Sequence, residues 1–116
     1  MAGRGFSMRE WIDQAEKSEN FDSYKLYIIE LHNDNERFIK VGRTFNTVEK
    51  RFSADGSLPY CYDVLKIVED TPYRIFNLET KLKRKFKQHR YKPLKSFSGL
   101  NECFTLEIKE FIQDIK

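Results

Sequence analysis

Two β-rich runs separated by five turn-forming residues constrain this chain more than any other feature. Residues 25–31, which begin Lys25-Leu26-Tyr27-Ile28-Ile29, and residues 37–43 carry side chains that suit a pleated strand, and His32-Asn33-Asp34-Asn35-Glu36 between them is a turn-type cluster. The pattern predicts an antiparallel hairpin. Thr44 to Asn46 breaks the second run, and Asn46 with Glu49 three residues on forms a capping box that opens a helix through about Phe52, ended by Asp55-Gly56-Ser57.

The rest of the chain falls into place around that hairpin. Ser7 followed by Glu10 is another capping box, and Trp11, Ile12 and Ala15 fall at helical spacing, so residues 7–18 read as a short helix. Residues 1–23 are therefore an N-terminal helical extension and linker, and residues 24–116 the main domain. A third strand is expected over Tyr62 to Glu69 from Val64, Leu65, Ile67 and Val68. Thr71-Pro72 reads as an N-cap followed by proline at the first helical position, starting the longest helix, which runs to about Gln88. Its apolar stripe is Ile75, Leu78, Leu82 and Phe86. At about 100° per residue, Glu79 lies about 20° beyond Phe86, at the border of the buried face, while Lys83 and Lys87 lie farther round towards solvent. Residues 91–101 read as a loop, 103–106 as a short strand or extended segment, and 108–115 as a closing helix packed by Ile108, Phe111, Ile112 and Ile115. The expected fold is α+β: a small, mainly antiparallel three-stranded sheet flanked by helices.

The 116 residues, 40% of them hydrophobic and 34% charged, suffice for one ordinary domain with a single core, and ten Phe and six Tyr suggest that rings build it. No apolar run reaches the length of a membrane span or a signal peptide, so the expectation is a cytoplasmic protein with no membrane partner. Cys61 and Cys103 lack a CxxC spacing and, with only His32 and His89 as further soft ligands, make no zinc pattern; they read as reduced thiols. His32 reads as a loop residue and His89 as a cap on the C-terminal end of the long helix. A net charge of +3 says little, but between Lys81 and Lys95 stand Lys81, Lys83, Arg84, Lys85, Lys87, Arg90, Lys92 and Lys95 with no acidic residue. That block would attract a phosphate backbone, or else form a solvated helix face with a basic loop.

The chemistry-bearing residues are dispersed. Tyr27 is in the first strand, Lys40-Val41-Gly42-Arg43-Thr44 closes the second, Arg51 follows in the next helix and Glu79 borders the stripe of the longest one. A phenol, an amine, a guanidinium and a carboxylate are the parts of metal-assisted phosphodiester cleavage, in which phosphate charge must be neutralised, a proton removed from water and the leaving oxygen helped. Gly42 would permit close approach of backbone or substrate.

In this order the residues resemble the GIY-YIG nuclease superfamily, and more closely a phage and fungal-type subgroup whose second motif reads Lys-Ile-Gly-Arg-Thr. The resemblance covers roughly residues 24–107. Lys25-Leu26-Tyr27 stands for the first motif, keeping only the tyrosine, and Lys40-Val41-Gly42 for the second, with lysine in place of its tyrosine. Arg51 matches the expected arginine, Glu79 the expected metal-binding glutamate, and Gly99-Leu100-Asn101-Glu102-Cys103-Phe104 the terminal motif. The resemblance implies a divalent-metal-dependent DNA endonuclease, acting on double-stranded DNA and leaving a 5′-phosphate and a 3′-hydroxyl. Glu79 would hold Mg²⁺ or Mn²⁺, Arg51 would grip the scissile phosphate, and Tyr27 or Lys40 would activate or position the water. Gly42, Arg43, Lys83, Lys87 and Asn101 would line the substrate. Specificity would come from the domain itself, from a homodimer or from a partner protein, and a phage-encoded chain would work in the host cytoplasm.

Blander readings exist for each residue. Tyr27 could simply pack across the hairpin, Arg43 could be a surface charge, and Glu79 could pair with Lys83 from i to i+4. Asn101 and Glu102 could orient a metal or form a turn. For the whole chain, a catalytically silent nucleic-acid-binding or regulatory module on the same fold is the alternative, and a protein-interaction module docking through the Trp11 helix is a third.

Overall fold

The computed structural model describes residues 7–19, 21–48, 59–95 and 102–115. The first helix, α1 (Met8–Lys17), starts where the capping box predicts: Ser7 Oγ accepts from the Glu10 amide at 3.3 Å and the Ser7 amide donates to Glu10 Oε1 at 2.9 Å. It buries Trp11 and Ala15. The hairpin follows as β1 (Lys25–His32) and β2 (Arg37–Thr44), in antiparallel register from Lys25↔Thr44 to His32↔Arg37. Asn33 shapes the turn, its side-chain oxygen accepting from the amides of Asn35 and Glu36. That side-chain mimicry of a backbone turn is why asparagine suits the position.

On the other side of β1 lies β3 (Cys61–Glu69), also antiparallel, with its register shifted between Ile28 and Ile29 so that Leu65 is the extra residue. The expectation of three strands is corrected to four, because β4 (Cys103–Phe104) pairs with Ile39 and Lys40 of β2 and completes the order β3-β1-β2-β4. The segment at 103–106, open in the sequence between a short strand and an extended stretch, is thus a strand over its first two residues, where the pairing with β2 fixes it.

The longest helix, α2 (Pro72–Lys85), is capped by Thr71, whose hydroxyl accepts from the Arg74 amide at 3.3 Å. It ends three residues short of Gln88, and Lys87–His89 tighten into a 3₁₀ turn. The closing helix is likewise shorter than expected: Leu106–Ile108 are 3₁₀ and only α3 (Lys109–Ile112) is α-helical. Beyond it the Asp114 and Ile115 amides donate to carbonyls three residues back, which winds the chain too tightly to continue an α-helix. Ile108, Ile112 and Ile115 nevertheless reach the core as their spacing implies.

Strand alternation sorts the core into two sides. Leu26, Ile28, Ile39 and Val41 face α2, meeting Ile75, Leu82 and Phe86, with Trp11, Phe104 and Ile108 closing the same cluster. Tyr27, Ile29, Leu31 and Phe38 face the other way and pack with Val48, Tyr60 and Cys103. Both sides of β1 are therefore buried, which is why its sequence runs apolar almost throughout. Both cysteines are free thiols, Cys103 buried and Cys61 exposed. Among the described residues no helix is long and apolar enough to cross a membrane.

Candidate functional site

Register brings the first pair together. Tyr27 stands opposite Gly42, and Lys40 lies two residues before Gly42 on the same face of β2. Glycine leaves the gap that the phenol fills. A Cβ on Gly42 would fall 2.6 Å from Tyr27 Cζ, closer still to its hydroxyl, and 3.0 Å from Lys40 Nζ. Gly42 thus makes room for the Tyr27–Lys40 pair itself.

Lys40 is wholly buried and donates from Nζ to Tyr27 Oη at 2.6 Å and to Glu102 Oε1 at 2.9 Å. Burial works against its ammonium, but the neighbouring Tyr27 and Glu102, through charge and hydrogen bonding, outweigh it and hold the lysine above its ordinary pKa. Lys40 is therefore a fixed cation. Burial pushes the Glu102 carboxyl up, yet Lys40 and Lys83 more than offset this, so its pKa lies below the usual value. Cys103, behind this pair, is driven up to about 12 by burial, with Lys40 pulling in the opposite direction; it is an inert thiol at neutral pH.

From Glu102 the contacts pass to α2. Lys83 Nζ lies 3.0 Å from Glu102 Oε2 and 3.2 Å from Glu79 Oε2, so one ammonium bridges the two carboxylates. Glu79 is not at the border of the buried face but inside it, 2% exposed. A charge there demands partners, and Arg43 supplies one, its Nη1 bonded to Glu79 Oε1. Arg43 stands opposite Leu26, on the face away from Tyr27 and Lys40. Its guanidinium sits over the rings of Phe76 at 4.3 Å and Trp11 at 4.8 Å from their centroids.

Six residues expected at the site, Tyr27, Lys40, Gly42, Arg43, Glu79 and Lys83, thus join through Glu102 into one run of contacts. Three cations, Lys40, Arg43 and Lys83, meet two carboxylates, Glu79 and Glu102, within this run. Lys87 lies exposed on the 3₁₀ turn beyond α2, outside this run. Arg51 and Asn101 lie outside the described residues. The i to i+4 pairing of Glu79 with Lys83 is present, alongside the contact with Arg43.

Two features escaped the sequence. Glu102, weighed only as a turn or metal-orienting residue, is the counter-charge of Lys40. The available signal was Lys40 itself, an inward-facing lysine in an apolar strand that requires a buried anion. Of the two aromatic platforms, Trp11 reads as an apolar position of the first helix or as a docking element, and Phe76 lies outside the apolar stripe assigned to the longest helix.

A divalent cation fits the donors on one observation. Glu79 Oε2 is buried and, among the described residues, accepts no hydrogen bond, although Lys83 stands at ion-pair distance. A carboxylate oxygen with an open lone pair is a suitable donor to a hard cation. Among the described residues no group of three or more His, Cys, Asp or Glu converges, so such an ion would draw its other ligands from water and phosphate.

No protein-family model, no curated protein and no solved structure matches this chain.

Proposed function

We propose that this domain is a metal-dependent DNA endonuclease, with Tyr27 as the base, Lys40 as its charge partner and Glu79 as the residue that holds Mg²⁺ or Mn²⁺. The observation that carries the reading is the buried Lys40–Tyr27 contact at 2.6 Å. The buried ammonium donates to Tyr27 Oη, which fixes the orientation of that oxygen and sets a positive charge against it. Because Lys40 is held protonated, the base role falls to Tyr27 rather than to the lysine. In the proposed step Tyr27 has first lost its hydroxyl proton to solvent; its oxygen then takes a proton from water as the water oxygen bonds to phosphorus, the bond from phosphorus to the 3′ oxygen breaks, and that oxygen takes a proton from solvent. The bound metal would supply charge neutralisation at the phosphate. Arg51 is assigned the scissile phosphate, Lys83 lines the site from its place between Glu79 and Glu102, and Lys87, on the 3₁₀ extension of α2, approaches the backbone from outside.

A second reading has its own support. Tyr27 is almost wholly buried, and both oxygens of Glu79 face cations. A nucleic-acid-binding module that has lost its chemistry would be arranged in the same way.

Cleavage of supercoiled plasmid separates the two. The purified protein with Mg²⁺ or Mn²⁺ should nick the plasmid, EDTA should stop it, and Tyr27→Phe and Glu79→Gln should each lower the rate by about a hundredfold or more, the scale of losing a general base. Undiminished nicking by Glu79→Gln would overturn the assignment, and salt-sensitive binding without nicking by the intact protein would establish the silent module.

A further inference from the structure

The contacts around Arg43 reach outside the nuclease-like segment. Its guanidinium packs over both the Phe76 ring of α2 and the Trp11 ring of α1, which adjoin each other on one side of it, while Nη1 holds Glu79 Oε1. Arginine is suited to this: its planar fork packs against aromatic faces and leaves an edge for a carboxylate. We infer that α1 belongs to the candidate site, with Trp11 as a positioning residue that acts through Arg43 to fix the orientation of the Glu79 carboxylate. The inference rests on the nuclease reading only in its kinetic arm.

Three observations support it. First, Trp11 is itself fixed, packed edge-on to Tyr24 at 5.2 Å and tilted against Phe45 and Phe76 at 6.4 Å. A ring restrained on several sides can restrain the guanidinium it touches. Second, the only other described cation at Glu79, Lys83, is a point charge shared with Glu102 and partly open to solvent, so it neutralises the carboxylate without setting its plane. The planar Arg43 fork alone can do that. Third, α1 is locked at its own start by the reciprocal Ser7–Glu10 bonds, which set where Trp11 emerges.

The test uses the full chain and two substitutions. Trp11→Leu keeps an apolar side chain and removes the π face; Trp11→Phe keeps a face. Side-chain NMR of the Arg43 Nε–H group and of the Glu79 carboxyl carbon reports the clamp whether or not the protein cleaves anything, at a temperature where thermal melts show each variant folded. In Trp11→Leu the Arg43 order parameter should fall and the Glu79 carboxyl resonance should move, with both recovered in Trp11→Phe. Plasmid kinetics should show kcat down roughly tenfold in Trp11→Leu, the scale of a small misplacement of a reacting group, with KM little changed. An Arg43 side chain as ordered in Trp11→Leu as in the wild type would overturn the inference, as would lost order with an unchanged kcat. A wild-type protein that cleaves nothing would instead sink the nuclease reading and leave the NMR result to decide the role of Trp11.

Discussion

A wholly buried ammonium is costly, because the interior solvates charge poorly and only an adjacent anion can offset the loss of water. Lys40 has that anion in Glu102, but the two partners are not equally protected. Glu102 is 27% exposed and also faces Lys83, whereas Lys40 is 0% exposed. Removing the carboxylate takes a counter-charge from an ammonium that water does not reach, while removing the ammonium leaves a carboxylate with water and a second cation. Glu102→Ala should therefore destabilise the fold more than Lys40→Met, by about 3–5 kcal/mol against considerably less, as urea unfolding would measure. Equal losses, or the reverse order, would show that Lys40 finds another anion. The pair is also safe from alkali across the neutral range: a lysine whose folded pKa is raised contributes stability fully present below about pH 10.4, lost only as pH climbs through the higher folded value.

Between elements, the same logic operates at the hairpin turn. Glu36, where the turn meets β2, accepts hydrogen bonds from the hydroxyls of Tyr60 and Tyr91 and from the Leu94 amide at 3.2 Å, while the Lys95 amide donates to Tyr60 Oη at 3.1 Å. One carboxylate ties the basic segment after α2 to the far end of the sheet. Burial raises the Glu36 pKa, but those hydrogen bonds prevail and hold it below normal, and the bond to Glu36, aided by burial, lifts Tyr91 up to about 12. A depressed carboxylate contributes stability that is present above about pH 4.3 and is lost as acid carries the pH down through its folded value. Glu36→Gln should remove that acid sensitivity, speed hydrogen exchange at Leu94 and Lys95, and bring Tyr91 ionisation back towards about 10 in a phenolate absorbance titration. An unmoved Tyr91 titration would mean the bond does not persist in solution. This clamp also shows where sequence reading stops. The capped starts of α1 and α2, the hairpin and the strand at 61–69 are legible because caps, turns and apolar spacing are local signals. Glu36 reads only as a turn residue, β4 as a fragment and Glu102 as a polar neighbour of an aromatic, because each gains its role from a partner dozens of positions away. Tyr27, Lys40 and Glu79 could be named from residue type and order, yet their connection through Lys83, Glu102 and Arg43 is a property of the folded sheet and α2.

For the molecule as a whole, charge placement rather than net charge matters. Lys81, Arg84, Lys85, Lys87, Arg90, Lys92 and Lys95 are exposed along α2 and the segment after it, while Lys83 turns towards the carboxylates. If four of these cations meet phosphates, duplex affinity should fall about a hundredfold between roughly 50 and 200 mM salt, and Lys87→Gln should flatten the slope by about one contact. A binding constant indifferent to salt would remove the nucleic-acid reading altogether.

Lys40 and Glu102 stand 62 positions apart, on β2 and at the threshold of β4. During synthesis the tyrosine and lysine exist long before the carboxylate that faces them, and a chain cut short of Glu102 lacks the carboxylate that Lys40 holds at 2.9 Å. The contact between β2 and Glu102 therefore waits until the last part of the chain is made, and any chemistry that this cluster supports waits with it.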